Sequence, residues 1–141
     1  MAKQQQIRPT GLILAALLTG LEGLFVGALA ARLGVALVIG ETKSLVTSLA
    51  LFALVAGAAI WVIFVAWNLW QGKRWARSAG VFWQLVQLAV ATGSFSGQFG
   101  SQAIGWGLII PSVIVLVALL SKKVVAATMG PIDTDEDSTK N

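Results

Sequence analysis

Apolar residues in this chain run in long stretches, and polar positions gather where those stretches end. Four such runs stand out: residues 11–31, 45–69, 79–95 and 103–120. The first alone makes about 31 Å of helix at 1.5 Å per residue, enough to cross a hydrocarbon layer about 30 Å thick. The pattern therefore predicts an all-α membrane protein, a bundle of four transmembrane helices. One position breaks it. Glu22 lies in the middle of the first run, where no other charge occurs.

The connections are less uniform. Residues 33–39 are apolar, and they either extend the first helix or lie along the interface. Residues 93–102 are rich in Gly and Ser, which favour turns, so they read as a loop with Phe95 and Phe99 dipping into the interface. Lys3 and Arg8 ahead of the first run would suit a signal peptide. The length of that run and the acid within it favour a retained helix instead. Three regions follow: a cytoplasmic segment 1–10, a transmembrane domain 11–123, and an acidic, disordered cytoplasmic tail 124–141.

Charge sets the expected orientation. Lys3, Arg8, Lys73, Arg74, Arg77, Lys122 and Lys123 fall on one side of the four-run scheme. Only Arg32 and Lys43, partly offset by Glu41, fall on the other. Basic residues beside membrane spans mark the cytoplasmic face, so both termini are expected inside.

Composition narrows the function. The chain is 57% hydrophobic and 11% charged, against about 25% charged in ordinary soluble domains. It has no Cys, no His and no Tyr. That removes thiolate and histidine nucleophile pairs, histidine relays and the usual soft metal ligands, so an enzyme is not expected, nor a metal or cofactor. The net charge of +4 comes from scattered bases without interleaved exposed aromatics, which argues against nucleic acid. Asp133, Asp135 and Asp137 resemble the start of a calcium loop. Ser138 then stands where that loop needs Gly, and the chain ends before its closing Glu.

Glu22 is the residue with chemistry to offer. Eleven residues beyond Gly11, it lies about 16 Å deep, near the bilayer midplane. Ionised and facing lipid it would cost a few kcal/mol or more, so it should face the bundle. Two roles fit: helix glue, or a titrating group for proton or cation exchange. Gln84 and Gln87 on the third run share a helix face, about 8 and 12 Å deep, with Gln87 nearer the level of Glu22. A glutamine can donate to a carboxylate or accept from a carboxylic acid. Trp61 and Trp83 fall near this zone. The nearest base on the same helix, Arg32, is about 15 Å further along.

Gly20, Gly23, Gly27 and Ala31 form a small-residue stripe that lets another helix approach closely, within the protomer or between protomers. Pro111 should free the carbonyl of Gly107 and kink the fourth helix. Trp67, Trp70 and Trp75 beside Lys73, Arg74 and Arg77 read as cytoplasmic interface anchors, with Trp106 near the opposite face.

The run Gly72-Lys73-Arg74-Trp75-Ala76-Arg77, the pair Trp83-Gln84, Arg8-Pro9 and Leu21-Glu22-Gly23 together resemble small four-helix integral membrane proteins of actinobacteria, a group without an assigned activity. The resemblance spans most of residues 8–123 and implies a multi-pass protein of a bacterial cell membrane, with no catalytic residue. Small multidrug-resistance transporters are similar in architecture, with four short helices and an embedded Glu in the first. Only Glu22 matches that plan; their tyrosines and tight loops are missing.

The expected function is thus that of a non-enzymatic accessory or assembly subunit acting through helix packing. Its partners would be the lipid bilayer and a second copy or another membrane protein. The alternative is a small proton-coupled transporter or channel-like oligomer using Glu22.

Overall fold

Five helices make up almost all of residues 9–96 and 101–129, which the computed structural model describes. They are α1 (Thr10–Val38), α2 (Leu45–Trp70), α3 (Arg74–Ser96), α4 (Gln102–Leu120) and the short α5 (Lys122–Met129). Of these, α1, α2 and α4 are long and apolar enough to cross a membrane. The hydropathy of α3 is lower because Arg74, Arg77, Gln84 and Gln87 all fall within it.

The chain runs up α1, down α2, up α3 and down α4. Each helix packs on its neighbours in sequence, and α4 closes back onto α1. Helices α1 and α3 stand at opposite corners. We call the end holding Thr10, Trp70 and Arg74 the base, and the end holding Val38 and Ser96 the crown.

Two glycines turn the chain where helices end. Gly72 has φ of 76° and Gly40 has φ of 77°, in the left-handed region that favours glycine. After α2, the Gly72 N–H bonds Leu69 O at 2.9 Å and the Lys73 N–H bonds Asn68 O at 3.1 Å. These are the paired bonds of a Schellman cap, and they satisfy carbonyls the helix would otherwise leave bare. After α1, the Glu41 N–H bonds Ala36 O in the same way.

The tightest interface is α1 against α2. A Cβ at Gly20 would face Ala66, at Gly23 it would face Val62 and Ile63, at Gly27 Ala59, and at Gly34 Phe52. Each step up α1 is matched by an equal step down α2, so one antiparallel register holds along the hairpin. The glycine stripe is thus spent inside the protomer. Ala31 is not on it: that residue is exposed, and Ala30 is buried in its place. The contact positions alternate in steps of three and four, the spacing of two helices crossing at a shallow angle. A strict step of four drifts off that face.

The apolar core occupies the base half of the bundle. Leu12, Ala15 and Ala16 of α1 meet Val65 and Leu69 of α2, Ala76 of α3, Val115 and Leu119 of α4 and Val124 of α5. Outside, the bundle shows large apolar side chains, among them Leu24, Leu54, Ile60, Phe82 and Val117. That surface suits lipid.

One boundary left open by the sequence is resolved as helix, and three differ from the sequence expectation. Helix α1 continues through residues 33–38, since nothing in that apolar stretch ends a helix before Gly40. Helix α3 begins at Arg74, not 79, because a polar first turn, Arg74 to Arg77, is no obstacle to a helix. Residues 93–96 are helix and not loop. The hydroxyls of Thr92, Ser94 and Ser96 bond carbonyls four residues back, and Phe95 packs on Gly105 and edge-on to Trp106 at 6.0 Å. Phe99 lies outside the described residues. Residues 124–129, grouped by composition with the disordered tail, form most of α5, held by Val124, which is buried against Gly11. Residues 1–8 and 130–141 also lie outside the described residues.

Candidate functional site

Just above the apolar core, side chains from three helices meet at the centre of the bundle. Glu22 projects from α1 toward the opposite corner. There Gln84 and Gln87 each donate an Nε2–H to its Oε2 at 3.0 Å. The Oε1 of Gln87 in turn accepts from Ser112 Oγ of α4 at 2.9 Å. The result is a hydrogen-bonded chain, Gln84–Glu22–Gln87–Ser112, joining α1, α3 and α4. Gln84 and Ser112 are fully buried and Gln87 nearly so.

Helix geometry explains the convergence. Gln84 and Gln87 are three residues apart, so both face the interior, while Phe82 and Leu85 of the same helix point outward. Pairs of amides on one helix face can clamp a single acceptor only if it reaches them from across the bundle. Glutamate on α1 has that reach.

The clasp is incompletely satisfied. Both amides bond the same carboxyl oxygen, and Glu22 Oε1 is buried without a partner. So are Gln84 Oε1, Thr19 Oγ1 one turn earlier on α1, and Trp83 Nε1. The Trp83 indole N–H is near enough to act on the Glu22 carboxyl, although it closes no hydrogen bond to it. Each buried group left bare costs roughly 1–3 kcal/mol. Donors and acceptors both stand open around one carboxyl, so the site has capacity for one more proton or one more N–H.

Beside the clasp, α1 and α4 part. At the base they touch closely: a Cβ on Gly11 would lie 3.6 Å from Ala118 O. Toward the crown, α4 leans on α3 instead, where Gly105 receives the ring of Phe95. Pro111 lies in α4 between these two contacts and does not end the helix. The parting leaves a cleft of about 770 Å³. Its walls include Leu21 and Phe25 of α1 with Ile104 and Leu108 of α4, and its polar residues are Glu22 and Gln87.

The remaining expected residues play other parts. Trp75 of α3 lies exposed against the outer side of α2, its ring 5.6 Å from Phe64 and 6.5 Å from Trp61. Trp67 is exposed at the base, and Lys73 and Arg74 are exposed beside it. Trp70 lies at the same level, at the end of α2. Arg77 is half-buried, with Nε bare of partners. Ser112 and Thr19 were not expected. Ser112 lies ten residues beyond Gln102, about 15 Å along α4, so its depth points to the same level. Asn68 was also missed; it is buried and donates to Phe64 O at 2.7 Å.

Comparison of the chain with protein-family models, curated proteins and solved structures finds no match.

Proposed function

We propose that this chain is a non-enzymatic integral membrane protein, an accessory or assembly subunit of a bacterial cell membrane, acting through helix packing. The observation that carries this reading is the Glu22-centred clasp joining three helices across the bundle. Hydrogen bonds of this kind hold membrane helices together where hydrophobicity cannot, at about 0.6 kcal/mol each and up to about 2.

The reading takes α3 as a fourth span. Its Gln84 and Gln87 turn inward at mid-helix and its Phe82, Leu85 and Val90 turn outward, the reverse of a soluble helix. The base would be cytoplasmic, since Lys73, Arg74, Arg77, Lys122 and Lys123 gather there and Arg32 and Lys43 stand toward the crown. The chain has no native Cys, so single cysteines are clean probes of this topology. An impermeant thiol reagent applied outside whole cells should label Ser44→Cys and Ser101→Cys, and spare Gln71→Cys and Lys123→Cys. Labelling at Lys123 from outside would overturn the four-span scheme.

A second reading has its own observation: Glu22 opens onto the α1/α4 cleft. In that reading the chain is a small proton-coupled transporter, with Glu22 as the titrating group and Gln87 orienting it. Proteoliposomes with an imposed pH gradient separate the two. The packing role expects no proton-coupled flux; the transport role expects flux that Glu22→Gln abolishes in a protein that still inserts.

A further inference from the structure

We infer that the base of the bundle holds an anionic phospholipid, its headgroup among the basic residues there and one acyl chain in a groove between α1 and α2. The inference rests on the membrane placement in the first reading, and on neither role proposed for Glu22.

Charge comes first. Helices α3 and α5 both start at the base, and both start with cations: Arg74 and Arg77 in the first turn of α3, Lys122 and Lys123 in that of α5. The first turn of a helix is the positive end of its dipole, which favours acids and disfavours cations. Neither turn holds an acid. Lys73 adds a fifth cation just ahead of α3. The acids of the described residues lie elsewhere, Glu22 at mid-bundle and Glu41 at the crown. Arg77 is half-buried, and its Nε is bare of partners. Among the described residues, the positive charge of the base is therefore unopposed, and an anion would balance it.

Shape names the anion. The outer faces of α1 and α2 form an apolar groove of about 460 Å³. Ala16, Gly20 and Ala66 make its floor, and the exposed Leu17, Trp67 and Trp70 its sides. The turn that follows Trp70 leads directly to Lys73 and Arg74, so the lower end of the groove opens beside the cations. Indole rings favour the level of lipid headgroups, and Trp67 and Trp70 stand at that end. Basic clusters beside apolar grooves are the usual means by which membrane proteins select anionic lipids.

Depth and width agree. Along α1 the groove runs from Ala16 to Leu24, six to fourteen residues above Thr10, or about 9 to 21 Å from the base. On α2 it reaches down to Trp70, the last residue of that helix. It thus extends from the base to a little past the midplane, the depth of one leaflet's acyl chains. A helix about 10 Å across would fill roughly twice 460 Å³ over the 12 Å between Ala16 and Leu24. A single acyl chain suits the groove better than a partner's helix.

The test places the full chain in nanodiscs of phosphatidylcholine with a trace of spin-labelled phosphatidylglycerol, or of spin-labelled phosphatidylcholine with the same acyl chains. Both probes carry a phosphate, and only phosphatidylglycerol carries a net charge. The immobilised fraction of the label reports bound lipid. Wild type should hold phosphatidylglycerol about tenfold more tightly, as one or two basic residues near a headgroup imply. The preference should shrink as salt rises. Lys73→Gln, Arg74→Gln, Lys122→Gln and Lys123→Gln together should erase it. Leu17→Ala with Trp67→Ala should lower the immobilised fraction of both probes and leave their ratio unchanged, because the groove holds the chain and not the head. All six side chains are exposed, so the bundle should still assemble. Equal retention of the two probes by wild type would overturn the inference. So would a preference that survives the fourfold change, or retention indifferent to Leu17→Ala with Trp67→Ala. A preference that emerges only when Asp133, Asp135, Glu136 and Asp137 are all made amides would mean that the acidic tail covers the base, and it too would overturn the inference. A chain that stays out of the discs would sink the membrane reading as well. One that enters them and ignores headgroup charge would sink this inference alone.

Discussion

Helix α1 has two contrasting flanks. Toward α2 it presents glycine and alanine, the backbones approach closely, and no polar group is involved. Toward α3 and α4 it presents Leu21, Glu22 and Phe25; Glu22 bonds α3, and above the base α1 and α4 separate. The first flank is closed by shape and the second is held by a few directional bonds. Lipid cannot be squeezed from between membrane helices by hydrophobicity alone, so close packing and hydrogen bonding are the two available means. This protein uses one on each side of the same helix.

The sharpest way to break the contrast is Gly23→Leu. A Cβ at that position would lie 2.9 Å from Ile63 Cγ1 and 3.3 Å from the backbone N of Ile63, and the backbone cannot swing aside. The hairpin must open, at about 3 kcal/mol or more, the upper range for overpacking. Denaturant unfolding in mild detergent should show the loss, and cross-linking between cysteines at 27 and 59 should fail. Gly27→Ala is the control: its Cβ would sit 4.0 Å from Ala59, an ordinary contact, and should be tolerated.

On the other flank, Gln87→Leu should come next. It strips one of two donors from Glu22, which keeps Gln84, and takes the acceptor from Ser112, stranding that hydroxyl in the interior. A loss of about 1–2 kcal/mol is expected by the same unfolding assay. Ser112→Ala made together with Gln87→Leu should recover part of it, since a hydroxyl no longer present cannot be stranded.

Glu22→Gln should be milder, within about 0.6 kcal/mol, the average for one hydrogen bond between membrane helices. The new amide oxygen still accepts from Gln84 and Gln87. A loss as large as that of Gln87→Leu would mean the carboxyl charge itself holds the helices.

Opposite in sign should be Gly107→Ala. It adds a methyl facing open space and removes a flexible residue from a helix, a gain of up to about 1 kcal/mol. A clear destabilisation there would mean that the cleft closes in solution.

Much of this was readable from residue order. The lengths of the apolar runs place α1, α2 and α4, because crossing hydrocarbon demands about twenty apolar residues. The meeting of Glu22 with Gln87 follows from depth alone, by counting residues from each helix end. Other features needed the neighbours. Whether Ala30 or Ala31 faces α2 depends on the angle at which two helices cross, which no single helix encodes. Ser94 and Ser96 look like loop residues until their hydroxyls are seen to bond within α3. The cleft was not legible at all. It arises because Gly105 draws one half of α4 to α3 while Gly11 admits the other half to α1, and Pro111 sits between.

The inward amides of α3 also bear on how the protein is made. A segment entering the bilayer with Gln84 and Gln87 facing hydrocarbon would stall, because no acceptor awaits them there. The acceptor is carried by α1, which leaves the ribosome first, and the α1–α2 register is built from contacts that involve no later helix. If α3 is the fourth span, as proposed, synthesis order places the carboxyl in the membrane ahead of the amides that require it, and the α1–α2 hairpin can serve as a template on which the more polar helix enters.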